Sequence, residues 1–528
     1  MMIYFRMCGF SLIFFILLSF YTPEICANEI TVQNDGKKYN VVLIAINVLR
    51  ANHLSCYGYH KKTSPAIDEV AKDSFVFMKA FAQAGYTLPN MMSIITSLYP
   101  DSHGVFDVYK DKLSTSVKTI AQILQIYGYK TAWFSVLGEP HLSMKVGFER
   151  GYDDFGDHLD ETYRGKKNLL SWIAENKDEQ FFLAMNIRST HSPYFPLPKY
   201  KNVFKEGEKG AIIENDDEFF KAIYFKILES IDNPLMPMYG LFDKETANRI
   251  KNDDFYPYNG IEKWQKRVHK ISKLIPPNQL YKLGRTEMMA YEASIDISNK
   301  NNLKYLISLY DSCILSVDQE FIEPIMSAFK KYGIYDNTII IITADHGESL
   351  GEHQRLGHGF QFYDEVIYIP LIVRVPFLKD SRKIEALVQS IDIMPTILSL
   401  IGAEKPYNLQ GKSLVSLMKN KKDTPIHTHI YGENRNFAYL RSDEWKLIAV
   451  RKFLEKESFH DNDKLYKLQD DPKELVNQND EQQEVYQKLR NKIKNHLREK
   501  PKYIEKEYEF APNIDKAAQE RIKKTGYW

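Results

Sequence analysis

Asp345 and His346 close a run of mostly β-branched residues, Thr338-Ile-Ile-Ile-Ile-Thr-Ala, and His353 and His358 follow in a glycine-containing segment. Three of the fourteen histidines therefore lie between positions 346 and 358. A carboxylate and imidazoles at the carboxyl end of a buried strand are donors for a divalent metal, and that edge of an open α/β sheet is where ligands meet solvent. Two more apolar runs end on polar side chains: Ile44-Ala-Ile leads to Asn47, and Phe181-Phe-Leu-Ala-Met-Asn-Ile leads towards His191. If these strands are parallel, Asn47, His191, Asp345 and His346 share one edge. Gly85-Tyr-Thr87-Leu-Pro89 adds a hydroxyl. Pro89 suits the first turn of a helix, so Thr87 is expected just before a helix N-terminus, where free N–H groups and the dipole favour a tetrahedral anion. A hydroxyl held there on a cation is a nucleophile. Plainer readings exist: a strand end followed by a polar loop, and a threonine that caps its helix.

The elements that would position these residues are legible. Residues 39–46, 130–136, 180–187, 338–343 and 370–375 read as strands, and 39–46 is apolar throughout, as in a central parallel strand covered on both faces. Helical patterns at 64–72, 89–96 and 117–126 alternate with them, which argues an α/β fold with a mainly parallel sheet and helices on both faces. Residues 201–300 read as a helical insertion, and residues 391–402 as a helix ending on glycine. Beyond position 423, strand candidates at 429–432, 437–441 and 445–450 precede Leu465-Tyr-Lys-Leu and a charged helix at 482–500. That is a small α+β C-terminal unit, giving a division into 38–420 and 424–528.

The 528 residues carry a net charge of +1, which gives no reason to expect a nucleic acid partner. At the N-terminus, Arg6 precedes an apolar stretch over residues 7–21, and Ala27 offers a small residue for cleavage. Spanning a bilayer takes roughly 20 apolar residues, so residues 1–27 read as a secretory signal peptide, with export to the periplasm or medium. A retained membrane anchor and a lipid on Cys26 are the alternatives. After cleavage Cys56 and Cys313 remain, too few for a disulfide framework.

Taken together, the ordered motifs resemble the sulfatase family of the alkaline phosphatase superfamily. The resemblance rests on Asn40-Val-Val-Leu-Ile, Leu49-Arg50 through Gly58, Thr63-Ser-Pro-Ala-Ile-Asp68, Thr96 through Gly104, Gly147-Phe-Glu-Arg-Gly-Tyr-Asp, Asp345-His346-Gly-Glu, Ile369-Pro-Leu-Ile-Val-Arg-Val-Pro and Asp392-Ile-Met-Pro-Thr. It implies an alkaline-phosphatase-like fold: a large mixed, mainly parallel sheet sandwiched by helices, with a smaller C-terminal α+β subdomain. It also implies one divalent cation (Ca or Mg, with Zn or Mn as alternatives) on Asn47, Thr87, Asp345 and His346. His191 and His358 would contact the transferred group or protonate the leaving group. The substrate would be a sulfate or phosphate ester, for example of a glycan or lipid headgroup. Two departures stand out. Family members that form formylglycine carry Cys or Ser, then x-Pro-Ser-Arg, where this chain has Thr87-Leu-Pro-Asn-Met. Threonine would give a ketone rather than an aldehyde, so formylglycine is not expected and a direct threonine nucleophile is. Asn47 replaces a metal-binding aspartate, which removes a charge from the site and weakens cation binding. A catalytically silent relative that binds a glycan, lipid headgroup or protein is the second reading. Lys446, in Glu444-Trp-Lys-Leu, receives no role.

Overall fold

A computed structural model describes residues 37–499 except 107–110, 137–141, 143–145, 157–163, 237–238, 253–259, 276–280, 360, 421, 423 and 456–460. The segment read as a signal peptide lies outside the described residues. The strands are β1 (Asn40–Ile46), β2 (Phe75–Phe81), β3 (Lys130–Val136), β4 (Asp154–Gly156), β5 (Phe181–Ile187), β6 (Thr338–Ala344), the short β7 (Ser349–Leu350), β8 (Leu356–Gly357) and β9 (Tyr368–Ile369), β10 (Leu371–Arg374) and β11 (Arg382–Gln389). Among the described residues the large sheet has nine strands in the order β11-β2-β10-β6-β1-β5-β3-β4, with β9 on β2. All pairs from β6 to β4 are parallel, while β10 runs antiparallel to both β6 and β2. The sheet is therefore mixed but mainly parallel. Strands β1, β5 and β6 are buried at every position, the signature of strands covered on both faces.

The covering helices are cued locally. Helix α1 (Pro65–Ala71) has proline in its first turn, α2 (Thr87–Thr96) is buried along its whole length, and α3 (Ile120–Ile126) opens on a Thr119/Gln122 capping box. Then come α4 (Arg164–Glu175), and between β5 and β6 the helices α5 (Asp216–Asp232), α6 (Lys244–Lys251), α7 (Gly260–Ser272), α8 (Tyr281–Glu292), α9 (Lys300–Val317) and α10 (Glu323–Lys331). Helix α11 (Ile393–Ile401) stops at Gly402, whose φ of 71° a side chain would resist.

Strands β12 (Ile430–Glu433), β13 (Phe437–Arg441), β14 (Trp445–Val450) and β15 (Lys464–Lys467) form an antiparallel sheet. Its alternation splits two cores. Ala438, Leu440, Leu447 and Ala449 face α12 (Gln483–Arg498), while Tyr439, Ile448 and Tyr466 pack with Phe81, Phe362 and Leu387 of the large domain. Lys446 shares the second face. Its buried ammonium contacts Asp364 at 2.8 Å and Glu474 at 2.6 Å, and Arg441 adds a 3.0 Å contact to Asp364. Such a buried cluster holds only while each charge keeps its partners.

This cluster sets a pH dependence. Burial pushes the Glu474 carboxyl up to about 7, against the pull of Lys446. An acid bound more tightly to its proton when folded than its ordinary value of about 4.3 makes stability fall as pH rises between those values. Glu474→Gln keeps an acceptor for the Asp364 N–H, now bonded at 2.6 Å, and removes the charge. The melting temperature of the variant relative to wild type should therefore be more favourable at pH 8 than at pH 5. An equal difference at both pH values would refute the raised carboxyl.

Candidate active site

The register of three strands builds the site. Ile46 of β1 pairs with Ile187 of β5 on one side and with Ala344 of β6 on the other. The next residues, Asn47, Arg188 and Asp345, therefore emerge level at one sheet edge. Asn47 N–H donates to the Ile187 carbonyl at 2.9 Å, and the Thr190 hydroxyl donates to the Asn47 carbonyl. Asp345 Oδ1 accepts from the backbone N–H of Val48 at 2.9 Å and of His346 at 2.8 Å, which ties the end of β1 to the end of β6. Val48 takes φ 51°, an uncommon conformation for a β-branched residue.

Thr87 is the first residue of α2 rather than the residue before it. Tyr86, extended at φ −155° and ψ 159°, occupies the cap position and makes no side-chain capping bond. The Thr87 hydroxyl turns to the strand ends instead: it accepts from Asn47 Nδ2 at 3.2 Å and lies 3.3 Å from His346 Nε2. Asn90, one turn along α2, fixes that helix end. Its amide donates to the Asp345 carbonyl, and its oxygen accepts from Gln83 N–H and the Ser390 hydroxyl, both at 2.9 Å.

The imidazoles line up beside the hydroxyl. The His346 and His358 rings lie 4.4 Å apart, and His358 and His191 5.0 Å apart. His346 Nδ1 is 2.8 Å from the Gly347 carbonyl, and His191 Nδ1 bonds the Ser192 carbonyl. A carbonyl only accepts, so Nδ1 carries the proton in both rings and Nε2 presents a lone pair in the neutral form. Burial lowers the affinity of both rings for a second proton, and Arg188 and His358 lower that of His191 further. His358 differs, because its Nδ1 lies 2.8 Å from Oε1 of the buried Glu348. A carboxylate in that position holds the ring orientation and stabilises the imidazolium that forms when Nε2 takes a proton.

The structure thus brings together all six residues singled out in the sequence, Asn47, Thr87, His191, Asp345, His346 and His358. His353, in the same segment, is used elsewhere: Glu365 at 2.7 Å and the Glu474 carbonyl at 3.0 Å occupy its two nitrogens, and it stacks on Tyr363 at 3.6 Å. Three contributors were not read from the sequence. Arg188 and Asn90 carried the available signals, as the first residue beyond a buried strand and as one turn after Thr87. Glu348 carried only its place two residues after His346. Close approach is secured at Gly347, where an added Cβ would fall 2.3 Å from the Glu365 carbonyl oxygen.

For a cation, the informative atom is Asp345 Oδ2. It is buried, has no hydrogen-bond partner, and lies 3.5 Å from His346 Nε2. A lone carboxylate oxygen in the interior is costly unless it meets positive charge. Among the described residues no group of three or more His, Cys, Asp or Glu is placed to hold a metal. A cation beside that oxygen would meet Asp345 and His346 as its charged and imidazole donors, with the Thr87 hydroxyl and the neutral Asn47 amide next to them.

Comparison with known proteins identifies the family. Residues 39–403 match the sulfatase family model, and residues 351–502 match that of the C-terminal region of N-sulphoglucosamine sulphohydrolase. The chain belongs to the sulfatase family, whose members here define it as a sulfatase-like ester hydrolase. It is 25% identical to an N-acetylglucosamine-6-O-sulfatase of Bacteroides thetaiotaomicron over 86% of this chain and 84% of the relative. It is 29% identical to mouse (Mus musculus) arylsulfatase K over 86% and 78%. Among solved structures, one in complex with its substrate D-glucosamine-2-N,6-O-disulfate superposes with a TM-score of 0.62 at 21% identity, covering 89% of this chain and 100% of that one. The phosphonate monoester hydrolase of Agrobacterium radiobacter gives 0.62 at 20% identity, covering 87% and 95%. The fold is thereby that of the alkaline-phosphatase-like hydrolases.

The Glu348–His358 pair yields a test. Glu348→Gln keeps the shape but removes the charge behind the ring, and proton transfer by a positioned side chain contributes about 10²–10⁴-fold. Turnover of esters with poor alcohol leaving groups should fall by about tenfold or more, with KM little changed, while esters of acidic phenols lose much less. Equal loss on both substrate kinds would reduce Glu348 to a structural role.

Proposed function

We propose that the chain hydrolyses sulfate esters of glycans, with the Thr87 hydroxyl itself as nucleophile. The observation that carries this reading is the turn of that hydroxyl away from helix capping and into Asn47 Nδ2 and His346 Nε2, beside the lone oxygen of Asp345. Two of the likenesses quoted above, to a 6-O-sulfatase of N-acetylglucosamine and to the N-sulphoglucosamine sulphohydrolase C-terminal region, support a sulfated amino sugar as substrate.

In this scheme Thr87 Oγ1 attacks sulfur in line, an S–O bond to Thr87 forms, and the S–O bond to the sugar oxygen breaks. The Thr87 hydroxyl proton passes to solvent as Oγ1 attacks, and the departing oxygen takes a proton from Nε2 of the His358 imidazolium, whose Nδ1 faces Glu348. Water then attacks sulfur, the S–O bond to Thr87 breaks, and Oγ1 regains a proton as sulfate leaves. Asn47 Nδ2 orients a lone pair of the attacking oxygen, Arg188 adds positive charge at the strand ends, and the N-terminus of α2 faces the anion. Asp345, His346, Asn47 and Thr87 would hold the divalent cation. When bound, such an ion neutralises charge on the ester and acidifies a nearby hydroxyl. No formylglycine is involved, because the Thr87 side chain keeps its hydroxyl.

Thr87→Ala should abolish turnover, at least about 10³-fold, and leave melting behaviour close to wild type. Thr87→Ser should retain part of the activity. Assays on glucosamine-6-sulfate, an aryl sulfate and a phosphomonoester decide the ester class, and unchanged turnover in the alanine variant would sink the nucleophile assignment.

Asn47→Asp returns a carboxylate to the cation's position. It should tighten metal binding about ten- to a hundredfold, read by calorimetry without any substrate. Asp345→Ala should release the metal. If neither variant changes metal content, the cation is misplaced and His346 Nε2 acts as the base for Thr87.

A further inference from the structure

A second set of charges lies outside the Thr87 site. Where the C-terminal unit meets the large domain, a cavity of about 580 Å³ opens, and five cations line it: Arg435 between β12 and β13, Arg451 and Lys452 after β14, and Lys494 and Arg498 near the end of α12. Part of that charge is paired within the protein. Arg451 holds Asp101, Arg435 holds Asp111 at 2.6 Å, and Lys494 and Arg498 share Glu455 at 2.8 and 2.5 Å. Five cations against these three carboxylates leave an excess of positive charge, with the buried Glu433 carboxylate also within reach of Arg451. The outer pairs are solvated: Arg435 is 50% exposed, and Arg498 and Glu455 are 59% and 61% exposed. Such pairs hold little energy, so an incoming anion can engage these side chains without a large internal loss. Guanidinium groups suit the planar, multi-oxygen face that sulfate and carboxylate present.

A run of contacts leads from the cavity towards the reaction site. The Arg435 guanidinium lies 5.6 Å from the Phe106 ring centre, the Phe106 carbonyl accepts from the Tyr86 hydroxyl at 3.0 Å, and Tyr86 precedes Thr87. A chain of sugars with one unit at Thr87 could thus set a further unit against the basic wall. We infer that this cleft is a second anion-binding site that takes the sulfate or carboxylate groups of another sugar of the same chain, so that the preferred substrate is a polyanionic oligosaccharide. The inference rests on the sulfated-glycan reading of the active site.

The test separates the two. In the full chain carrying Thr87→Ala, to stop turnover, binding of a sulfated glucosamine-containing tetrasaccharide is compared with and without Arg435→Gln, Lys452→Gln and Lys494→Gln. These changes leave the Arg451–Asp101 pair in place, and Lys452→Gln with Lys494→Gln alone serves if the triple variant melts early. Tetrasaccharide affinity should fall about tenfold for the loss of three solvent-accessible charges, with a shallower salt dependence. Hydrolysis of glucosamine-6-sulfate by the same three-site variant with Thr87 intact should not change. Unchanged tetrasaccharide affinity overturns the cleft, as does inorganic sulfate binding as tightly as the tetrasaccharide. If the affinity falls but the wild-type chain cleaves no sulfate ester, the cleft stands and the proposed activity fails.

Discussion

One carboxylate joins the two halves of this molecule's chemistry. Asp345 Oδ1 accepts the N–H groups of Val48 and His346 and so holds the ends of β1 and β6 together. Asp345 Oδ2 is left without a hydrogen bond, pointing where His346 Nε2 and the Thr87 hydroxyl also lie. The division is possible because β1, β5 and β6 are parallel and in level register, so that their ends expose side chains at one height. Asn90 then hooks α2 onto the Asp345 carbonyl, which brings Thr87 to the same place. Remove the carboxylate and both the geometry and the charge of the site are lost together.

The segment after Asp345 is held from the other side by the C-terminal unit. His358 and Asp364 lie on one stretch of chain, and Asp364 is gripped by Lys446 and Arg441. Replacing such a cluster with apolar groups can raise stability, so the cluster is poor evidence of strength. What it supplies is position, because three charges in a dry interface satisfy one another in few arrangements. The His353 ring, fixed between Glu365 and the Glu474 carbonyl, adds a second tie along the same stretch.

Much of this was readable in the sequence because both faces of the central strands are covered. Continuous apolar runs marked β1, β5 and β6, and with them the strand ends bearing Asn47, Asp345 and, just beyond, His191. Strands β2 and β11 escaped because Lys79, Lys383 and Glu385 interrupt their apolar pattern, and β11 also shifts register between Ile384 and Leu387. The antiparallel course of β10 could not be read, since alternation and hydropathy carry no direction. Glu348 was hidden for another reason: its meaning lies in a contact with His358 ten residues away, which only the turn through β7 and β8 creates. Lys446 had a local clue. In a strand of period two it shares a face with Ile448, and that face is buried.

Charge balance constrains the chemistry that remains. An anionic ester at Thr87 meets two carboxylates, Asp345 and Glu348, while burial keeps His346 and His191 from readily gaining positive charge. Arg188 and the N-terminus of α2 oppose those carboxylates, and one of the latter already has the His358 ring against it. Asp345 Oδ2 has no hydrogen bond, and neither does Oε2 of Glu348. A cation placed at the former would reverse the sign felt by the substrate, and Asn47, being neutral, makes that reversal larger than an aspartate would at equal occupancy. The same substitution lowers the affinity for the cation. On the proposed cation site, the asparagine would exchange tight metal binding for a stronger pull on the anion when the ion is bound, and occupancy at the prevailing metal concentration would set the rate.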